Sequence, residues 1–142
     1  MGVLACPNLP IKFKDPSSER GLLLYGLEGG NAFQTALSRP DRAEAELCQM
    51  KAIKLLSEAT FCESVESGHS SHDQQSRISE ILGIRTQSIR MDSQAKYATL
   101  TRGDADIYLR LPVNMKYEEK IWVTSRVSCR LTVGSCLWSV TC

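Results

Sequence analysis

The stretch Arg90–Pro112, RMDSQAKYATLTRGDADIYLRLP, reads as strand, helix and strand. Its first residues continue SIRMDS, a short strand; AKYATLTRG predicts a short helix ended by Gly103; ADIYLRLP predicts a strand ended by Pro112, which has no N–H to give a sheet. In that last strand a period of two puts Ile107, Leu109 and Leu111 on one side and Tyr108 and Arg110 on the other. An arginine within an apolar strand needs an anionic partner or a path to water.

Working outward, the same alternation continues. TFCESVE, before the stretch, reads as a short strand. It is followed by SGHSSHDQQSRISEILG, a helix with a capping box at Ser71 and Gln74, an apolar stripe of Ile78, Ile81 and Leu82, and Gly83 as its stop. After the stretch, YEEKIW starts another helix. Strands alternating with helices predict an α/β layered fold. Nearer the N-terminus, residues 2–9 look like the end of a strand entering a Pro-bounded turn. RGLLLYGLEGGNAFQTAL reads as a hairpin turning at Glu28-Gly29-Gly30-Asn31. SRPDRAEAELCQMKAIKLL fits a helix by composition and a strand by alternation, and stays open between them.

From Val123 onward the text changes: VTSRVSCRLTVGSCLWSVTC has no Asp, Glu or Lys, and all sixteen acidic residues precede it. We expect a domain over residues 1–122 and an irregular tail over 123–142. The 142 residues suit one ordinary domain, and 42% hydrophobic with 23% charged residues is a globular balance. A net charge of +1 supplies no field to recruit a nucleic acid polymer or a membrane surface. No apolar run approaches the roughly 20 residues that cross a bilayer, and the first residues do not read as a secretion signal, so a soluble cytoplasmic protein is expected. The six cysteines include no C-x-x-C pair, which argues against a zinc site or a redox dithiol.

Several groups carry candidate chemistry. Ser93-Gln94-Ala95-Lys96 fits the S-x-x-K pattern of acyl-serine enzymes, but the S-D-N and K-T-G companions are missing. A serine and a lysine at a strand end and helix start also suit an anion. Asp104 and Asp106 suit a hard cation by type, yet acids flanking one residue on a strand diverge, so capping and turn roles are expected. Arg102-Gly103-Asp104 looks like an adhesion tripeptide and is taken as coincidence. His69 and His72, with Asp73, raise a metal or acid–base reading, but their spacing straddles a helix start; His72 is expected to serve the cap, while His69 sits in the loop entering the helix, where an imidazole can meet an anion or a base.

Taken in order, CPNLP, ESVESGHSSHDQQ, RMDSQAKYATLTRGDADIYLRLP and YEEKIW closely resemble the C-terminal half of fungal and plant 3'(2'),5'-bisphosphate nucleotidases, within the inositol monophosphatase-like superfamily. The resemblance runs from Gly2 to Trp122. It implies part of that superfamily's layered α/β fold and Mg²⁺-dependent hydrolysis of adenosine 3',5'-bisphosphate to AMP and phosphate, in sulfur assimilation and nucleotide salvage. It also implies a nucleotide-binding set of His69, Ser93, Lys96 and Arg110. The departures concern the metal. The family's Asp-Pro-Ile-Asp-Gly-Thr motif is not matched, because Asp15-Pro16 is followed by no second aspartate. Val123 stands where the aspartate of Trp-Asp-x-Ala-Ala-Gly is expected after Trp122. The expectation is therefore a catalytically incomplete chain, lacking the Mg²⁺ ligands. Its alternatives are a non-catalytic nucleotide-binding module or a truncated gene product with no stable function, its tail being translated intron or frameshifted sequence.

Overall fold

The computed structural model describes residues 1–109 apart from positions 16, 28, 42, 51 and 66–71. Four strands, β1 (Gly2–Pro10), β2 (Arg20–Gly26), β3 (Ala32–Ala36) and β4 (Glu46–Leu47), form an antiparallel sheet in the order β1-β2-β3-β4. A second sheet holds β5 (Phe61–Ser64), β6 (Ile89–Met91) and β7 (Ile107–Tyr108) in the order β6-β5-β7, both pairs parallel. Helix α1 (His72–Ile81) joins β5 to β6, and α2 (Ala95–Thr101) joins β6 to β7. The expected α/β alternation over residues 61–109 is present. The capping box at Ser71, the Arg110 end of the last strand, the YEEKIW helix and the tail lie outside the described residues.

At two places the structure goes beyond the sequence reading, each for a physical reason. Residues 2–10 form a full strand rather than the end of one, because β2 offers Cys6 and the residues before it a continuous antiparallel partner. The register shifts only between Cys6 and Pro10, an interval that includes Pro7, which has no N–H for a ladder bond. The described residues of the ambiguous segment 38–56 form no α-helix: they contribute the two-residue β4 and run into a 3₁₀ turn at Leu56–Glu58. Its helix-favouring Ala and Glu lack an apolar stripe to bury, and tertiary context overrides propensity.

The layers follow from which face each element buries. In β2, Leu22 and Leu24 are fully buried and meet Cys6 and Leu9 of β1 and Ala98 of α2. The other side of α2 presents Leu100 to Cys62, Ala105 and Tyr108 of the second sheet. Beyond that sheet, Phe61, Ala59 and Ile84 pack with Ile78 of α1, Ile107 and Leu109. The order is thus first sheet, α2, second sheet, α1. A helix held between two sheets must be buried all round, and Lys96, Ala98, Thr99, Leu100 and Thr101 all are. Thr99 and Thr101 satisfy their hydroxyls by donating to the carbonyls of Ala95 and Tyr97, each at 2.8 Å. Both helices end as the sequence predicts, with Gly83 at φ +67° and Gly103 at φ +74°, conformations that favour glycine.

The outer face of the first sheet is different. Val3, Leu23, Tyr25 and Phe33 line, with Leu27 and Pro40, an apolar cavity of about 490 Å³, and Val3 and Leu27 are more than half exposed. Tyr25 and Phe33 stack there at 5.8 Å.

Burial also sets the chemistry of the thiols. It pushes the Cys62 thiol up to about 12, opposed by the nearby Lys96 charge, and that of Cys48 up to about 11. A raised thiol stays protonated when folded and loses its proton first in the unfolded chain. Stability is therefore expected to fall as pH rises above about 8.5 and to level off only past the folded values. Iodoacetamide at pH 8 should leave Cys62 unlabelled in the native chain and label it after urea, as read by peptide mass spectrometry; rapid native labelling of Cys62 would contradict its burial.

Candidate functional site

The second sheet places its loops by topology. From β5 the chain crosses to β6 on one side, and from β6 it crosses back over β5 to β7 on the other. Right-handed crossovers running in opposite directions put their helices on opposite faces. That is the arrangement here, with α1 packed on the Phe61 face and α2 on the Cys62 face. Layered α/β sheets bind ligands beyond the carboxyl ends of their strands, where the chain leaves β5 and β6.

Two of the candidate residues, Ser93 and Lys96, lie on the loop and helix that follow β6. Ser93 lies in the β6–α2 loop and is the only non-glycine residue with positive φ among those described, at +52°. A serine in this region departs from ordinary loop geometry and turns the chain sharply from Met91 into α2. Lys96 is in the first turn of α2 and is only 5% exposed. The sequence places it at a helix start without indicating that burial, which arises because α2 lies between the sheets. Its Nζ sits 5.6 Å from the centroid of the Tyr108 ring. His69 and Arg110 lie outside the described residues; in chain order they follow the carboxyl ends of β5 and β7. The structure therefore brings Ser93 and Lys96 to the same edge and describes no contact of the other two.

The acids at this edge, Glu63 and Asp92, and those at the opposite, amino edge, Asp104 and Asp106, are all engaged by protein. Glu63, 7% exposed, faces Arg90 at 3.4 Å. Asp92 Oδ1 accepts the Val65 N–H at 3.2 Å, tying the β6 exit to the β5 exit. Asp106 Oδ2 accepts the Thr60 N–H at 2.8 Å while its own N–H donates to the Thr60 carbonyl at 2.9 Å, which locks the entry of β7 to that of β5. Asp104 pairs with Arg102 at 2.6 Å. The sequence reading expects capping and turn roles for these two aspartates; instead Asp104 forms an ion pair and Asp106 ties two strand entries 46 residues apart. Among the described residues no three His, Cys, Asp or Glu side chains come together as a metal centre, so the described groups do not fit Mg²⁺.

Sequence reading missed two residues. Arg102, dismissed within the tripeptide Arg102-Gly103-Asp104, is buried and donates through Nη1 to the carbonyls of Pro10 at 2.7 Å and Ile11 at 3.2 Å, with its guanidinium over Phe13. It bolts the end of β1 to the end of α2; its position directly after the helix was the available signal. Tyr108 was assigned only to a strand face. Its neighbour on that face, Arg110, was the signal that the face carries polar work.

Sequence comparison gives this edge its context. The chain is 37% identical over 133 residues to the 3'(2'),5'-bisphosphate nucleotidase of Emericella nidulans, covering 86% of this chain and 38% of that protein. It is 42% identical over 123 residues to the same-named protein of Schizosaccharomyces pombe, covering 86% and 35%. With 3'(2'),5'-bisphosphate nucleotidase 1 of Arabidopsis thaliana it shares 41% over 129 residues, covering 86% and 36%. The chain is a partial relative of the 3'(2'),5'-bisphosphate nucleotidases. It spans little more than a third of the length of these nucleotidases. No family model matches it. Among the described residues no helix is long and apolar enough to cross a membrane.

Proposed function

We propose that this chain is the nucleotide-gripping part of a 3'(2'),5'-bisphosphate nucleotidase, and that its α/β layers belong to the inositol monophosphatase-like fold. The observation that carries the reading is the second sheet's carboxyl edge. There Ser93 at its strained turn and the buried Lys96 follow β6, and the chain order sets His69 after β5 and Arg110 after β7. A hydroxyl, an imidazole and two cations that follow three parallel strands in chain order suit a ligand with two phosphates, since lysine offers a point charge and arginine a bidentate fork. The small-molecule partner is adenosine 3',5'-bisphosphate, in a cytoplasmic setting. The hydrolysis to AMP and phosphate belongs to the complete enzyme, with Mg²⁺ held by groups other than those described in this chain.

Titration calorimetry tests this directly. The 142-residue chain should bind adenosine 3',5'-bisphosphate, and Lys96→Ala or Arg110→Ala should each weaken binding by roughly 10- to 100-fold, the range for removing a charge-assisted contact. A folded chain with no affinity, or variants that bind as well as the parent, would refute it. One observation favours a second reading, a product with no stable function of its own: the apolar outer face of the first sheet. A cooperative thermal melt in near-ultraviolet circular dichroism supports the binding module, and its absence supports the second reading.

A further inference from the structure

We infer that the apolar outer face of the first sheet is a docking surface for residues 123–142 of this same chain. The face is set by register. Val3, Tyr25, Phe33 and Leu47 are paired directly across β1, β2, β3 and β4, so their side chains form one row over the full width of the sheet. Leu23 and Thr35 belong to the next row on the same side. None of these side chains is charged. Leu22 and Leu24 alternate with them and are buried on the other side against α2, so the sheet is apolar on both faces. An antiparallel sheet that meets water on one face carries polar residues there. Here Val3 is 55% and Leu47 44% exposed, beside the cavity of about 490 Å³, and such a pattern belongs to a face that another segment covers.

Chemistry and tethering choose the occupant. Among the described residues that line the cavity, Asp41 is the one charged side chain, and it is exposed. The segment 123–142 has no Asp, Glu or Lys and holds Arg126 and Arg130. It brings no carboxylate to an apolar face, and it does bring a cation for Asp41. Within it Val127, Cys129, Leu131 and Val133 alternate in sequence with Ser128, Arg130 and Thr132, the period with which a segment turns one apolar side to a sheet. The described chain ends at Leu109, just past β7, and the thirteen positions 110–122 separate it from the segment. They span up to about 45 Å at roughly 3.3–3.6 Å per residue. The way from the second sheet to the outer side of the first crosses α2 and one sheet, about 20 Å at roughly 10 Å per layer. A segment tethered within reach is present at an effective concentration near the millimolar range, which favours it over a second copy of the chain at micromolar concentration.

The inference is independent of the nucleotide reading, which concerns the other sheet. Photocrosslinking in the full 142-residue chain tests it. The photoreactive residue p-benzoylphenylalanine takes the place of Leu131, the chain is irradiated over a range of concentrations, and the adducts are mapped by peptide mass spectrometry. Adducts within one chain are expected, from position 131 to the peptides that contain Tyr25 or Phe33, in a yield that does not change with concentration. Leu23→Glu, which sets a carboxylate on the face, should abolish them. Adducts confined to other surfaces, or no adduct at all, overturn the inference. So do adducts between two chains whose yield rises with concentration, which would make a second copy the occupant, and adducts to the face that persist undiminished in a folded Leu23→Glu chain. The measurement on the chain without Leu23→Glu needs no change in the face itself, so it decides the matter even where that variant does not fold.

Discussion

Incubated with adenosine 3',5'-bisphosphate and Mg²⁺, the 142-residue chain is expected to release phosphate at the background rate, a deficit of roughly six orders of magnitude or more against a working phosphatase. The physical reason lies in the disposition of the carboxylates. Metal-assisted phosphoryl hydrolysis needs anionic oxygens that converge on a cation, to activate water and offset the charge that develops on the phosphate. In the described residues Glu63, Asp92, Asp104 and Asp106 each face a protein cation or a backbone N–H, in four separate places. A phosphate-release assay over a range of Mg²⁺ concentrations checks this. Robust turnover that saturates with Mg²⁺ and is lost on removing a carboxylate would show that the chain assembles a metal centre of its own.

The second large effect concerns stability. Arg102→Ala should destabilise the chain by about 3–5 kcal/mol, because it leaves Asp104 without its buried cation and strips the Pro10 and Ile11 carbonyls of a donor. A loss of that size is a large share of the roughly 5–15 kcal/mol that hold a domain together, so most of the variant should be unfolded at modest temperature. Asp104→Asn, which removes one charge and keeps a polar group facing Arg102, should cost less. Urea melts of the parent and both variants provide the comparison. A small loss for Arg102→Ala would mean that the attachment of β1 to α2 is carried by the apolar contacts of Leu9, Leu22 and Ala98 instead.

Both results bear on how the two sheets cooperate. The first sheet supplies no candidate ligand-binding residue, yet its Leu22 and Leu24 form one wall against which α2 is packed. The carbonyls at the end of β1 hold Arg102, just past the last turn of that helix. Because Lys96 lies on this same helix, a loosened first sheet should disturb the lysine even though it lies on the far side of the layer.

Much of this was legible from local pattern. The period of two in ADIYLRL separated Ile107 and Leu109 from Tyr108, and the structure packs them on opposite faces of the second sheet. The apolar stripe and Gly83 marked α1, and the double glycine at 29 and 30 marked the β2–β3 hairpin. These features are local because they depend on strand pleat, helix pitch and left-handed glycine conformations, each written within a few neighbouring residues. The segment around Glu46 and Leu47 was not legible, since a two-residue strand exists only because Phe33 and Gln34 of β3 offer it an edge.

By itself, the sequence determined the alternation of strands and helices, the order of the candidate residues His69, Ser93, Lys96 and Arg110, and the similarity to part of the bisphosphate nucleotidases. Only the tertiary structure decided that α2 lies between two sheets, which turns Lys96 from a helix-start lysine into a buried one laid over Tyr108. Tertiary packing likewise made Arg102 and Asp104 an internal tie rather than a displayed tripeptide. The physical reason is distance along the chain. Burial and ion pairing are set by groups tens of residues apart, such as Arg102 and Pro10, and no local period carries that information.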